Sequence, residues 1–270
     1  MTYTSFKVDI EEYVAHVRFN RPDKSNALHR EAWNEMKQIF SELDQSKEVR
    51  SIVLSGEGKH FCAGIDLSLL FSISQYEDIS CEARKREELR KTIYYLQDCI
   101  SEIERCRKPV LAAVHRACIG GAVDIISACD MRYCSSDAYF SIKEVDMGLV
   151  ADIGTLQRLP KIIPYGYVAE MAYTGRPVNG AEAERIGLVN QNFDTQEELL
   201  AGVMEIAKLI ASKSPLVIRG TKEIMQYTRD HSVEDSLRYM GTYNAAYLYS
   251  NDLNEAIQAQ MTKRMPNFKD

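Results

Sequence analysis

The chain has 270 residues, of which 45% are hydrophobic and 27% charged, and its net charge is −6. That size suits one large globular domain or a domain with an appendage, and the acidic balance counts against a nucleic-acid surface. No apolar run is long enough to span a bilayer, there is no signal or transit segment, and seven cysteines without a CxxC point to a reduced intracellular chain, so the expected compartment is the cytoplasm.

In chain order, FKVDIE (residues 6–11) and YVAHVRFN (13–20) alternate in hydrophobicity and predict a hairpin turned at Glu11-Glu12. His16 falls inside the second strand and reads as structural. Residues 20–28 form a loop with two positive charges. A helix is expected from His29 to about Gln45, with Trp33, Met36, Ile39, Phe40 and Leu43 on one face. Residues 51–56 read as a short buried strand. The small-residue turn at 60–67 follows. Leu69 to Ile79 has no clean period and reads as mobile. A long charged helix is expected over 80–107, with Leu89, Ile93, Leu96, Ile100 and Ile103 as its apolar stripe, ended by Lys108-Pro109.

The central segment carries the chemistry. A strand over 110–114 leads to a small-residue turn at 118–122, then to a helix over 123–128 and a strand over 130–134. Gly120-Gly121 ahead of a helix lets backbone N–H groups face an anion. The turn at 60–67 is a second source of such donors, and two donors from distant segments are what an oxyanion hole requires. Asp124, Glu144 and Asp152 stand among apolar neighbours, which is costly unless the acids are paired or used. Together these features suggest proton transfer next to a carbonyl. Each also has a plain structural reading: a tight turn for Gly-Gly, a cap for Asp124 or Asp152, a helix opening for Glu144. Cys62 and Cys118 lack an evident histidine partner and read as small buried residues rather than nucleophiles.

Further on, residues 156–163 continue towards Pro164. Short helices are expected over 167–173 and 180–186, and a short strand over 188–191. From Thr195 the chain reads as helices alone, near 195–212, 215–230, 232–250 and 252–264. Tyr239, Tyr243, Tyr247 and Tyr249 crowd one face, a core or a subunit contact. This divides the chain into a region 1–195 and a helical region 196–270.

The series Asn20-Arg21-Pro22, Asn26-Ala27-Leu28, Phe61 to Leu67, Ile119 to Asp124, Cys129 to Arg132 and Glu144 to Leu149 resembles the enoyl-CoA hydratase/isomerase (crotonase) superfamily over nearly the whole chain. Within it the chain most resembles the Δ3,5-Δ2,4-dienoyl-CoA isomerase group. The resemblance implies an α/β fold, a crotonase spiral of ββα repeats with a C-terminal helical region that builds trimers or hexamers. It implies an acyl-CoA thioester as substrate, held by the N–H groups of Ile65 and Gly121 as oxyanion hole. Lys24, Ser25, Ala27, Ala63, Gly64, Asp66, Leu67 and Gly120 are the implied substrate-binding positions.

The acids select the group. Hydratases of the family place Glu at both the Asp124 and Glu144 positions. Here the first is Asp, and Asp152 matches a third acid, as in dienoyl isomerases. The implied reaction, in fatty-acid β-oxidation, takes a proton from C2 of a 3,5-dienoyl thioester and adds one at C6, giving the 2,4-diene. These carbons are too far apart for one carboxylate, so Glu144 is expected as the base, Asp152 as the acid and Asp124 as their electrostatic neighbour. No metal or redox cofactor is implied, since CoA is part of the substrate. Arg116 stands where relatives usually have Gly. Two other readings remain at this stage. An enoyl-CoA hydratase would use Asp124 and Glu144 to add water and be nearly indifferent to Asp152; a non-catalytic acyl-CoA-binding protein would bind thioesters without converting them.

Overall fold

The protein is described by a computed structural model covering residues 3–72 and 79–270. Strands β1 (Phe6–Glu11) and β2 (Val14–Phe19) form the expected antiparallel hairpin, Phe6 opposite Phe19. The reversal falls at Glu12-Tyr13, one residue later than the sequence suggested. Both residues have positive φ, 48° and 65°, which suits the right-handed twist of a two-residue hairpin. The remaining strands of the sheet run parallel: β3 (Ser51–Gly56), β4 (Val110–Val114), β6 (Met131–Ser135) and β9 (Gln191–Phe193), in the order β1-β2-β3-β4-β6-β9. A smaller sheet joins β5 (Ala117–Ile119), β7 (Tyr139–Ser141) and β8 (Val178–Asn179).

Both faces of the larger sheet are covered, which is why β3 and β4 are buried along their whole length and read as continuous rather than alternating runs. On one face Ile52 and Leu54 meet Trp33, Met36 and Phe40 of α1 (Arg30–Gln45) and Ile100 and Ile103 of α3 (Glu82–Arg105). On the other, Val53 packs with Leu111 and Ala113 against Leu199, Val203 and Ala207 of α8 (Gln196–Ala211). The period of two along β3 thus assigns alternate residues to two cores.

Several elements differ from expectation. Residues 118–119 belong to β5 rather than to a turn, and α4 (Gly121–Ala128) starts two residues early. The strand expected over 188–191 lies at 191–193 instead. Leu188 and Val189 are buried in a turn whose N–H groups return to the Ala183 carbonyl. Of the stretch read as mobile, residues 69–72 are helical, within α2 (Leu67–Ser72), and 73–78 lie outside the described residues.

Past α5 (Thr155–Arg158), α6 (Tyr165–Thr174) and α7 (Gly180–Arg185) the chain is helical, as expected: α8, then α9 (Pro215–Thr228), α10 (Val233–Tyr247) and α11 (Asn251–Met261). Side chains of Thr195, Ser214, Ser232 and Ser250 accept a backbone N–H at each of these four N-termini, which fixes where each helix begins. Tyr239, Tyr243 and Tyr247 form a continuous row with Tyr227, and both Tyr247 and Tyr249 are exposed. Among the described residues no helix is long and apolar enough to cross a membrane.

Candidate active site

The site is built where two loops and the 3₁₀ turn that carries Glu144 meet the N-terminus of α4. The first spans residues 20–28. Its anchor is Asn26, 2% exposed, whose Oδ1 accepts the Arg21 N–H at 2.9 Å. Its Nδ2 donates to the carbonyls of Glu57, His60 and Phe61 at 2.9, 2.7 and 3.1 Å. This loop is therefore pinned to the next segment by one buried amide. Lys24 is exposed on it, with Ser25 and Ala27 half-buried.

The second loop, residues 62–66, is zipped to the first on one side and to β5 on the other. Ala63 N–H donates to Ser25, Leu28 N–H to Gly64, and Asp66 N–H to Leu28, at 2.8–3.0 Å. Cys62 pairs with Cys118 in a parallel bridge. This brings Ile65 beside Gly121: a Cβ added at Gly121 would lie 3.7 Å from Ile65 N and 3.2 Å from Ile65 Cγ1. Among the described residues neither the Ile65 nor the Gly121 amide donates a hydrogen bond within the protein. Two unsatisfied N–H groups side by side, one of them opening a helix, form a receptor for a developing oxyanion. Asp66 turns its carboxylate to the scaffold, accepting from Arg21 Nη1 at 3.2 Å and capping α2 through Ser68. Leu67 is exposed.

The three acids differ in environment. Asp124 on α4 is fully buried. Its Oδ1 accepts the Thr155 N–H at 2.5 Å, and its Oδ2 has no partner among the described residues. Burial pushes its carboxyl up to about 7; hydrogen bonding from Thr155 opposes the rise and the Glu144 charge adds to it. Glu144 sits in a 3₁₀ turn (Lys143–Met147), with Oε1 3.2 Å from where a Cβ on Gly120 would be and Oε2 buried without a partner among the described residues. Burial raises its carboxyl too, a backbone N–H opposes, and the Asp152 charge adds. Asp152, expected among buried acids, is instead exposed at a cleft of about 540 Å³ lined by Gln97, Gln157, Arg158 and Lys161. Partial desolvation still raises its carboxyl.

The apolar residues that follow Glu144 in sequence are not what buries it, because Val145, Met147, Leu149 and Val150 point outward. Arg116, at φ 46° in an exposed turn, pairs with Asp137 at 3.1 Å, so the Gly usual at this position answers a backbone need and not the pocket wall. Cys62 and Cys118 are buried, their thiols pushed far up by desolvation, which rules them out as nucleophiles. Thr155 and the residues that hold it, absent from the sequence reading, had no signal in spacing or composition.

The Asp124 carboxyl has a stability consequence. Ionising a group held at about 7, against an ordinary 3.8, costs the folded state progressively as pH rises between those values and fully above them. Asn in its place keeps the Oδ1 acceptor. Asp124→Asn is therefore expected to gain stability relative to the parent between pH 4.5 and pH 8, by about 3 kcal/mol. Urea unfolding of both proteins at the two pH values measures the difference; a gap that stays constant or shrinks with pH contradicts the assignment.

The sequence profile described as enoyl-CoA hydratase/isomerase matches residues 9–270. The chain is 50% identical to the peroxisomal Δ(3,5)-Δ(2,4)-dienoyl-CoA isomerase of Arabidopsis thaliana over 99% of each sequence. It is 44% identical to the mitochondrial Δ(3,5)-Δ(2,4)-dienoyl-CoA isomerase of Homo sapiens, over 96% of this chain and 79% of that one. Among solved structures, the enoyl-CoA hydratase of Bacillus anthracis superposes with a TM-score of 0.87 at 27% identity, covering 98% of this chain and 99% of the other.

Proposed function

The chain belongs to the enoyl-CoA hydratase/isomerase family, and from that kinship and the site we infer that it is a dienoyl-CoA isomerase, converting 3,5-dienoyl-CoA to 2,4-dienoyl-CoA in fatty-acid β-oxidation. The observation that carries the mechanism is the free amide pair of Ile65 and Gly121 with Glu144 against the adjacent Gly120. The thioester oxygen sits on the two amides. Glu144 takes a proton from C2, and the electron pair delocalises through the diene onto that oxygen. Asp152 delivers a proton to C6 as the charge returns, leaving the 2,4-diene. Desolvation makes Glu144 a stronger base and helps Asp152 keep its proton until it is needed. Each turnover ends with Glu144 protonated and Asp152 ionised, and exposure of Asp152 to the cleft supports its reset by solvent. The isomerisation is redox-neutral and consists of two proton transfers, so the proposal includes no metal or redox cofactor.

The same reading includes a homotrimer or homohexamer. Its support is the outward apolar surface of the helical region, with Val217, Met225, Val233, Leu237 and Met261 all more than half exposed. A cytoplasmic setting is also part of the proposal and rests on the sequence; the two isomerase relatives above are named peroxisomal and mitochondrial.

The test is an ultraviolet assay of purified protein with 3,5-octadienoyl-CoA, beside a 2-enoyl-CoA. Growth of the conjugated 2,4-dienoyl absorbance without added cofactor is expected, and Asp152→Asn is expected to lower that rate by about 10²-fold or more. Loss of the 2-enoyl absorbance with no diene signal would instead make the protein a hydratase. Binding without turnover of either would leave only thioester binding.

A further inference from the structure

Arg158 ends α5, and its side chain is mostly buried. Nε and Nη2 donate to Glu104 Oε2 at 3.1 and 3.0 Å, and Nη2 also donates to Ser101 Oγ at 3.1 Å. Glu104 at the same time receives Arg229, the residue that follows α9, at 2.6 Å, and its carbonyl accepts Nε2 of Gln226 in α9 at 2.6 Å. Arg158 is thus clamped to α3, and through Glu104 to α9.

On its other side it supports Gly154. This residue has φ +141°, open to glycine alone, and a Cβ there would overlap the guanidinium while lying 3.9 Å from Asp124 Oδ1. The guanidinium and the Asp124 carboxylate therefore flank one glycine. The N–H groups of Gln157 and Arg158 both return to the Gly154 carbonyl, at 3.2 and 2.9 Å. That closes the turn whose next amide, Thr155, donates to Asp124.

We propose that Arg158 is a positioning residue for the isomerase site: clamped by Glu104 and Ser101, it braces the Gly154-Thr155 turn and directs its charge at Asp124 across Gly154. The proposal rests on the isomerase reading above for its effect on turnover. Asp124 is faced by Glu144 from the 3₁₀ turn, by the neutral Cys118 thiol from β5, by Thr155 and by Arg158. Of these, Arg158 brings the positive charge, and its effect on the Asp124 carboxyl is downward, against burial and Glu144. The neighbouring cations of the cleft have their own acids: Lys161 has Asp230, Arg105 has Asp98 and Glu102, and Arg229 shares Glu104.

Three variants separate bracing from charge. Arg158→Gln removes both, so the Asp124 carboxyl should titrate about one pH unit higher. In addition kcat should fall about tenfold with KM little changed. Arg158→Lys keeps the charge and loses the two-point clamp: kcat falls, but the Asp124 titration stays near its place. Glu104→Gln unmasks the guanidinium charge, so the Asp124 titration moves to lower pH. Displacement in opposite directions by Arg158→Gln and Glu104→Gln is the signature that a merely structural role would not produce.

The Asp124 titration is read by infrared difference spectroscopy on isotope-labelled whole protein, with Asp124→Asn assigning the band. An unmoved band in Arg158→Gln, or displacement of the same sign in both variants, overturns the proposal. A parent protein that converts no dienoyl thioester overturns the isomerase reading, while the infrared titration still decides whether Arg158 acts on Asp124.

Discussion

Glu144→Gln is expected to lower kcat for dienoyl-CoA isomerisation by about 10³-fold and to change product binding by no more than a few-fold. Glutamine matches glutamate in size, so the 3₁₀ turn and the contact with Gly120 remain. The ability to take a proton does not. The loss falls on kcat and not on KM, because the thioester is held by backbone amides that the substitution leaves alone. Glu144 Oε2 has no partner among the described residues, and a glutamine amide oxygen still accepts the backbone N–H that the carboxylate takes. The measurement is the diene absorbance rate with equilibrium binding of 2,4-dienoyl-CoA alongside. A variant that retained a tenth of the parent rate would remove Glu144 from the mechanism.

Gly64→Ala is the second large effect, and it acts on the backbone. At φ +89° the position is strained for any residue with a Cβ, and that Cβ would lie 2.5 Å from the Ile119 carbonyl oxygen and 3.2 Å from Gly121 N. The two segments must separate to accept it, which pulls the Ile65 and Gly121 amides apart. Loss of one good donor from such a pair costs about 10²–10³-fold in kcat, and the strain costs about 1–3 kcal/mol of stability. Gly121→Ala, at a position without positive φ, has only one tight contact, Ile65 Cγ1 at 3.2 Å, and should be milder in both respects. Thermal unfolding and kcat of the two variants measure this. Equal activity of Gly64→Ala and parent would mean that the amide pair is not the thioester's receptor.

What the sequence made legible follows from length and period. The four C-terminal helices were placed within a few residues, because each has an apolar stripe and opens on a Ser or Thr that caps it. Strands β1, β2, β3 and β4 were legible for the same reason, with five or six residues of clear pattern each. Strands β5 and β7 have three residues each, too few for a period, and they exist because of pairing with partners far along the chain, which no local window contains.

The site shows the same division. Asp124 and Glu144 could be picked out as acids in apolar company, and the structure does place them in partly or wholly desolvated settings. The same argument failed for Asp152. Its apolar neighbours Leu149 and Val150 belong to an irregular segment, where the residues beside an acid in sequence need not cover it in space. Asn26 and Thr155 were invisible as supports, since what they do depends on carbonyls and carboxylates brought up by folding.

The amide pair of Ile65 and Gly121 also bears on how this scaffold can change over generations. The grip on the thioester is made by main-chain N–H groups, which no point mutation other than one to proline deletes. The acids are single side chains, one on α4, one in a 3₁₀ turn and one on the segment ahead of α5, each replaceable without rebuilding the sheet. Inheritance can therefore keep the way a CoA ester is polarised while exchanging the acid that decides where protons leave and arrive. Selection on such a chain would hold the backbone path at 62–66 and 118–121 nearly fixed and leave positions such as 152 free to diverge with the reaction.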